Sequence, residues 1–302
     1  MVKQTIAVVG ATGVQGGGVV DALLKAGKFS VRAITRKPDS DKSKALAARG
    51  VDVVQGDLNE TATLEKALEG AYGLFLVTNF WEVGNGPSEM EQGTKAVAAA
   101  KAAGVSHVVW STLPNVETIS AGKIDVPHFT SKASVDSTVA SAGFKYHTFV
   151  EAPFYFQNLT GVMAPQKAED GTLTWTATMD PTKQVMHGGD ITQLGLLVSR
   201  AFEQPEKAGS GQHLSLRGST LSWNDILATL KAQGHKVQYN KVPAEVYEGF
   251  FPGAKEMRCM FDYFEAYTYF GPETEVKVAA ANALVEEGFT SFDKWAAANF
   301  SA

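Results

Sequence analysis

The fold is decided by a stretch near the start of the chain, Ile6-Ala7-Val8-Val9-Gly10-Ala11-Thr12-Gly13-Val14-Gln15-Gly16-Gly17-Gly18. An apolar run typical of a buried strand meets glycines at positions 10, 13 and 16, and a helical pattern follows over residues 14–26. Glycines at such a turn let the backbone approach a phosphate closely, and the N–H groups of the helix N-terminus favour an anion. We therefore expect this turn to bind a dinucleotide; a turn without a ligand is the alternative.

The first half of the chain alternates short apolar runs with helical segments. The pattern predicts strands at residues 5–9, 30–35, 51–55, 72–77, 107–111 and 146–150. It predicts helices at residues 14–26, 42–49, 62–68, 90–103 and 132–142. Strands that alternate with helices imply right-handed crossovers and a parallel sheet covered on both faces. We expect an α/β fold with a Rossmann-type doubly wound parallel sheet over residues 1–152.

The pattern becomes irregular after residue 152. Aromatic residues are frequent over 247–270, and the pairs Ser222/Asp225 and Thr290/Asp293 are typical of helix capping boxes. We expect residues 153–302 to form a smaller, mainly helical C-terminal lobe that closes a cleft. Whether this lobe adds a late strand to the sheet stays open.

Composition disfavours several functional classes. The formal net charge of −5 argues against direct nucleic-acid binding. No apolar stretch approaches the roughly 20 residues of a membrane-spanning helix, and the early first strand leaves no room for a leader peptide. The single cysteine, Cys259, suits a reducing compartment. We expect a cytoplasmic location, with the nucleus left open.

The end of the second strand indicates which dinucleotide binds. NAD sites usually place an acidic residue there, whereas this chain has Arg36 and Lys37, which can pair with a 2′-phosphate. The sequence therefore predicts NADP(H); two solvated loop cations are the alternative. Asp57 and Leu58 follow the third strand, where the adenine is expected, but Asp57 could equally cap the next helix.

A second group of residues bears on catalysis. Lys132 lies four residues after His128, and short-chain dehydrogenases use a Tyr-x-x-x-Lys pair in which the tyrosine shuttles a proton. Here the tyrosine position is His128, which could act as an acid or be structural. Ser111 and Thr112 are the nearest candidates for the accompanying hydroxyl. No metal site is predicted.

The chain resembles the NmrA-like family of atypical short-chain dehydrogenase relatives, and most closely its NADPH-sensor branch. The resemblance rests on Gly10-Ala11-Thr12-Gly13-Val14-Gln15-Gly16-Gly17, Val77-Thr78-Asn79-Phe80-Trp81-Glu82, His128-Phe129-x-x-Lys132, Tyr155-Phe156-Gln157-Asn158-Leu159 and Phe251-Pro252-Gly253-Ala254. It implies that residues 10–15 hold the pyrophosphate, Arg36 the 2′-phosphate, and Asp57 the adenine. It further implies that Thr78, Asn79 and Phe80 lie by the ribose, Lys132 by the nicotinamide ribose, and Tyr155, Phe156, Gln157 and Asn158 over the nicotinamide end.

These observations leave two principal hypotheses. The first is an NADP(H)-binding sensor or transcription-related regulator with little dehydrogenase activity, which couples nucleotide state to a protein partner. The second is an NADPH-dependent reductase of a quinone, imine or carbonyl compound, with Phe80, Trp81, Phe154, Tyr155 and Phe156 lining an apolar pocket; plain core packing is the alternative for these aromatics. A DNA-regulatory protein is a weaker candidate for the partner, and a homodimer stays open.

Overall fold

The computed structural model describes residues 3–300 of the chain. Its strands are β1 (Thr5–Val9), β2 (Ser30–Thr35), β3 (Asp52–Gln55), β4 (Gly73–Leu76), β5 (His107–Thr112), β6 (Tyr146–Glu151), β7 (Phe154–Tyr155), β8 (Gln166–Lys167), β9 (Leu173–Ala177), β10 (Met186–Gly189), β11 (Ser210–Ser215), β12 (Ser219–Leu221) and β13 (Val237–Lys241). Its helices are α1 (Val14–Ala26), α2 (Asp41–Ala48), α3 (Thr61–Leu68), α4 (Phe80–Val83), α5 (Gly86–Ala102), α6 (Val116–Ser120), α7 (Pro127–Ser141), α8 (Leu194–Glu203), α9 (Pro205–Ala208), α10 (Trp223–Ala232), α11 (Ala244–Glu248), α12 (Ala254–Tyr267), α13 (Thr274–Leu284) and α14 (Phe292–Asn299). Short 3₁₀ helices occupy Phe156–Leu159 and Ile191–Gln193.

The main sheet has seven parallel strands in the order β11-β6-β5-β4-β1-β2-β3. All six predicted strands are present, so the predicted Rossmann-type fold is confirmed. Because side chains alternate along a strand, Ile6 and Val8 enter the core on one face while Ala7 and Val9 enter the core on the other. The outer strand β11 comes from the second half of the chain and pairs with β6.

Two helices of the first half begin four or five residues earlier than their patterns predicted. Helix α5 begins at Gly86 rather than at residue 90, and α7 begins at Pro127 rather than at residue 132. Both carry a proline in the first turn, where its missing N–H costs no hydrogen bond. The longer α7 places His128 and Lys132 one helical turn apart on the same helix.

The second half contains more strand than the expected mainly helical lobe. It forms two three-stranded sheets, β12-β10-β7 and β13-β9-β8, beside its helices. The predicted capping box at Ser222 and Asp225 opens α10. The one predicted at Thr290 is wrong: α14 follows Ser291, and the Thr290 N–H donates to the side chain of Gln193 instead.

Helices α1 and α8 pack with their backbones in direct contact through glycine. A Cβ added to Gly195 would lie 2.0 Å from the carbonyl oxygen of Gly18, and one added to Gly18 would lie 2.5 Å from that of Thr192. The contact joins the helix that follows the glycine turn to a helix of the second half. Among residues 3–300, no helix is long and apolar enough to cross a membrane.

Candidate functional site

A cleft of about 1340 Å³ lies at the carboxyl ends of the parallel strands. The strand order reverses beside β1, and such a reversal opens a crevice that binds ligands in α/β sheets. The cleft wall includes most of the predicted site residues: Gly10, Thr12, Gly13, Val14, Gln15, Gly16, Arg36, Asp57, Leu58, Thr78, Asn79, Phe80, His128, Lys132, Phe154, Tyr155 and Asn158.

Four predicted residues do not line this wall. Ala11 is buried, and Phe156 packs in the core against Phe292. The Gln157 side chain donates to Asp190 and accepts from a backbone N–H, so both of its ends are engaged in a loop. Lys37 is exposed beyond the end of β2.

The glycine turn has the geometry of a close backbone cradle. Gly10 has a φ of +69°, and its carbonyl accepts from the Gly13 N–H at 2.9 Å. A Cβ on Gly16 would lie 2.2 Å from that same carbonyl, so only glycine fits there. Gly13 is the N-cap of α1, and no side chain caps the helix. Because the first N–H groups of α1 have no side-chain acceptor, this end of the helix is suited to an anion.

Arg36 lies at the edge of the cleft, directly after β2. Its guanidinium forms an ion pair with the carboxylate of Glu82 in α4. The Arg36 side chain is 53% exposed and that of Glu82 45% exposed, so the pair is open to solvent. The arginine is therefore accessible to a ligand anion, but it already has an anionic partner.

Asp57 follows β3 and forms a local turn. Its Oδ1 accepts from the backbone N–H and the side-chain amide of Asn59, at 2.9 and 3.0 Å. The N-cap of α3 is Glu60, so the helix-capping alternative for Asp57 is wrong. The residue keeps its place on the cleft wall.

Lys132 is largely enclosed, and its ammonium is fully hydrogen-bonded rather than free. Its ammonium donates to the Thr78 carbonyl at 2.8 Å, to the Thr78 hydroxyl at 3.0 Å and to the Glu89 carboxylate at 2.5 Å. A lysine ammonium has only three N–H donors, and all three are used here. Glu89 is fully buried and also accepts from Ser131. Burial lowers the pKa of Lys132, and the neighbouring Glu89 opposes that shift.

His128 is held by a carboxylate from the second half of the chain. Glu256 of α12 accepts from the His128 backbone N–H at 2.9 Å and lies 2.7 Å from its Nδ1. The imidazole also lies beside the aromatic rings of Phe80 and Trp81. The histidine therefore joins α7, α4 and α12 at one side of the cleft.

A hydrogen-bonded chain crosses the cleft floor near the predicted nicotinamide end. The Ser111 hydroxyl donates to Gln15 at 2.8 Å, and the Gln15 amide donates to the Tyr155 hydroxyl at 2.5 Å. Burial raises the pKa of Tyr155 to about 12, against the lowering effect of the Gln15 hydrogen bond. The phenol is protonated at neutral pH, and because Gln15 donates to its oxygen, the phenol proton is not used in this hydrogen bond.

The cleft continues into the second half of the chain, where its wall is aromatic and sulfur-containing. The residues that line this part include Trp175, Tyr247, Phe250, Phe251, Met257, Met260 and Tyr269. Phe250 and Phe251 are about half exposed, as is Trp81, which also lines the cleft. Such a wall suits a flat apolar molecule.

Sequence reasoning missed the acidic partners of the predicted basic residues. Glu82, Glu89 and Glu256 lie on three different helices, and no local spacing relates Glu256 to His128. Glu82 follows shortly after Thr78-Asn79-Phe80, so the sequence places it near the predicted ribose site. Nothing in the sequence indicates its ion pair with Arg36. The hydroxyl candidate Ser111 does reach the cleft.

Comparisons with known proteins identify a family. The family model described as the NmrA-like family matches residues 2–296. An NmrA-like family domain-containing protein of Dictyostelium discoideum is 30% identical over 91% of this chain and 92% of its own length. The NmrA-like family domain-containing oxidoreductase FrzB of Cladobotryum sp is also 30% identical, over 91% of this chain and 89% of its own.

Solved structures agree with this assignment. NmrA, a negative transcriptional regulator crystallised with NAD, superposes with a TM-score of 0.85 at 26% identity, over 99% of this chain and 96% of that protein. A crystal structure of the same regulator in complex with NADP has a TM-score of 0.84 at 27% identity over the same shares. An NADPH-dependent quinone oxidoreductase of Escherichia coli has a TM-score of 0.77 over 98% of this chain and all of its own; at 22% identity it shows the shared fold alone.

Proposed function

This chain belongs to the NmrA-like family, and on that premise we propose that it binds NADP(H) in the cleft. The observation that carries the proposal is the glycine turn at the cleft floor, where any side chain on Gly16 would collide with the Gly10 carbonyl. That cradle leaves room for a pyrophosphate against the N-terminus of α1. The crystal structures of a related regulator with NAD and with NADP support the same ligand class.

The remaining walls suggest how the ends of the nucleotide are held. In this proposal Arg36 receives the 2′-phosphate, because it is the cleft-lining guanidinium at the end of β2. Asp57 and Leu58 flank the adenine, and Thr78 to Phe80 flank the ribose. Tyr155 and Asn158 cover the nicotinamide end. Lys132, which also lines the cleft, fixes the Thr78 segment in place.

We further propose that the bound nucleotide serves regulation more than turnover. The supporting observation is that the ammonium of Lys132, expected at the nicotinamide ribose, has no free donor, and that Nδ1 of His128 is already hydrogen-bonded. All three ammonium donors of Lys132 are committed to Thr78 and Glu89, and His128 is bonded to Glu256. Binding a ribose hydroxyl through Lys132 would require it to give up a buried hydrogen bond.

A reductase is the second candidate, and a different observation favours it. The aromatic and methionine wall beyond Tyr155 can receive a flat apolar quinone, imine or carbonyl compound. Bound NADPH would supply the hydride, and the protonated Tyr155 lies where it could donate a hydrogen bond to such a compound. Several relatives carry the name oxidoreductase, which supports this candidate too.

Nucleotide titration tests the binding proposal. NADPH, NADP⁺, NADH and NAD⁺ are titrated against the protein while tryptophan fluorescence is followed, since Trp81 lies on the cleft wall. We expect tighter binding of the phosphorylated pair, loss of that preference in Arg36→Ala, and weakened binding of all four in Gly16→Ala. Gly17→Ala is the matched control, because a Cβ there meets only an ordinary contact at 3.6 Å. Absence of binding would refute the proposal.

A turnover assay separates regulation from catalysis. NADPH oxidation is followed with a panel of quinones, imines and aldehydes, using wild type, His128→Ala, Lys132→Ala and Tyr155→Phe. Slow or absent oxidation supports the regulatory role. A turnover number of about 1 per second or more, within the usual enzyme range, would establish the reductase. A selective loss in Tyr155→Phe, with unchanged nucleotide affinity, would assign the proton donor.

A further inference from the structure

The ion pair between Arg36 and Glu82 lies where the nucleotide specificity of the cleft should be decided. Arg36 follows β2 and Glu82 belongs to α4, and both side chains line the cleft. Within residues 3–300, Glu82 is the only hydrogen-bond or ion-pair partner of the Arg36 guanidinium. The site therefore presents a cation together with a competing anion.

A 2′-phosphate and the Glu82 carboxylate would compete for the same guanidinium. An arginine fork binds a carboxylate or a phosphate most strongly when two parallel N–H bonds go to the same anion. A phosphate that pairs with Arg36 must either displace the carboxylate or lie beside it, and two anions at that distance repel each other. A nucleotide with a free 2′-hydroxyl meets neither cost.

We propose that Glu82 sets how strongly the cleft distinguishes NADP(H) from NAD(H), by holding Arg36 in competition with the 2′-phosphate. The inference rests on the proposed nucleotide binding and goes beyond it, because it gives a residue on α4 control over the affinity for one nucleotide class. In this arrangement Glu82 lowers affinity for the phosphorylated nucleotide alone, and its carboxylate leaves Arg36 when that nucleotide binds.

The size of the effect follows from the exposure of the pair. A solvent-exposed ion pair changes an equilibrium constant by less than about fivefold, and repulsion between carboxylate and phosphate adds to this. We expect Glu82→Gln to tighten NADPH and NADP⁺ binding by about three- to tenfold at low salt. The affinity for NADH should stay within about twofold of wild type, because that nucleotide has no 2′-phosphate to compete.

Equilibrium titration of the purified full chain tests this directly, with NADPH and NADH as probes. Glu82→Ala is a second variant that removes the same charge, and Glu91→Gln is the matched control. Glu91 is an acidic residue of α5 that pairs with Lys95 and lies off the cleft wall. The gain should shrink when salt is raised from about 50 mM to about 500 mM, since exposed charges are then screened. It should also shrink in an Arg36→Ala background, where there is no shared cation.

The outcomes separate the inference from the proposed function. Selective tightening of NADPH in both Glu82 variants, absent in Glu91→Gln, supports the role of Glu82. Unchanged affinity in both Glu82 variants would overturn that role, and so would equal tightening of NADPH and NADH. Binding of neither nucleotide by wild type would instead remove the proposed function, and the role of Glu82 with it.

Discussion

Two adjacent glycines of α1 should respond in opposite directions to the same substitution. Gly17 and Gly18 both lie in the first half of the helix. A Cβ on Gly18 would lie 2.5 Å from the Thr192 carbonyl oxygen, a backbone atom that cannot rotate away. A Cβ on Gly17 would lie 3.6 Å from its nearest neighbour, the Ala11 carbonyl. Gly18→Ala therefore creates a collision that Gly17→Ala does not.

The magnitude comes from the overlap and from helix propensity. To restore even a 3.4 Å contact, α1 and the Thr192 segment must separate by about 0.9 Å at Gly18. Overpacking of this kind typically costs about 1–3 kcal/mol. Both alanines gain about 1 kcal/mol of helix propensity over glycine. Because that gain is common to the two variants, the difference between their unfolding free energies isolates the steric cost.

Urea denaturation followed by circular dichroism measures this difference. We expect Gly17→Ala to unfold at or above the wild-type midpoint and Gly18→Ala to be about 1–3 kcal/mol less stable than Gly17→Ala. Gly195→Ala, whose Cβ would lie 2.0 Å from the Gly18 carbonyl, should be at least as destabilised as Gly18→Ala. Equal midpoints for Gly17→Ala and Gly18→Ala would refute the close contact between α1 and the Thr192 segment.

Three further predictions concern buried polar groups. Lys132→Met should destabilise the fold by about 3–5 kcal/mol in urea denaturation, because it leaves the fully buried Glu89 without its cation. Adding Glu89→Gln to this variant should recover much of the lost stability. No recovery in the double variant would contradict the pairing of Lys132 with Glu89. Burial raises the pKa of Asp136 from 3.8 to about 7, so the folded state keeps a proton that the unfolded state loses between those values. The wild-type unfolding free energy should then fall with rising pH across that window, by at most about 1.4 kcal/mol per pH unit. The unfolding free energy of Asp136→Asn should lack this part of the pH dependence. Identical pH profiles for the two proteins would contradict the raised pKa of Asp136. Ser222→Ala should lower the unfolding free energy by about 1 kcal/mol in thermal unfolding, because the Ser222 side chain caps α10. Ser291→Ala is the control and should cost less stability, because the Ser291 side chain accepts no helix N–H.

The sheet was predictable because its information is local. Each strand of the first half is an apolar run bounded by turn residues, and these runs appear in the structure within one or two residues. Strand β11 has the sequence Ser-Gly-Gln-His-Leu-Ser, in which only Leu214 is apolar, so its pattern gave no comparable signal. Its place beside β6 depends on partners distant in the chain. Strands β7, β8 and β12 span only two or three residues each, which is too short for an alternating pattern to be recognised.

The position of the candidate site was predictable from the sequence, but the ion pairs and hydrogen bonds of its charged residues were not. Parallel strands bring their carboxyl ends to one edge, so Gly10, Arg36, Asp57 and Thr78 were expected to meet, and they line one cleft. The ionic partners depend on how helices pack across that edge. Glu256 approaches His128 from the second half of the chain, and no periodicity in either segment records that contact.

The late origin of β11 has a consequence for how this protein is made. Until Ser210–Ser215 emerges from the ribosome, β6 has no neighbour on its outer side, and its row of N–H and C=O groups is an open template for other chains. Helix α1 lacks its α8 partner only at a still earlier stage, before Leu194–Glu203 has emerged. A nascent chain that ends before residue 210 should therefore be prone to aggregation and a client for chaperones, although it already carries the whole glycine turn.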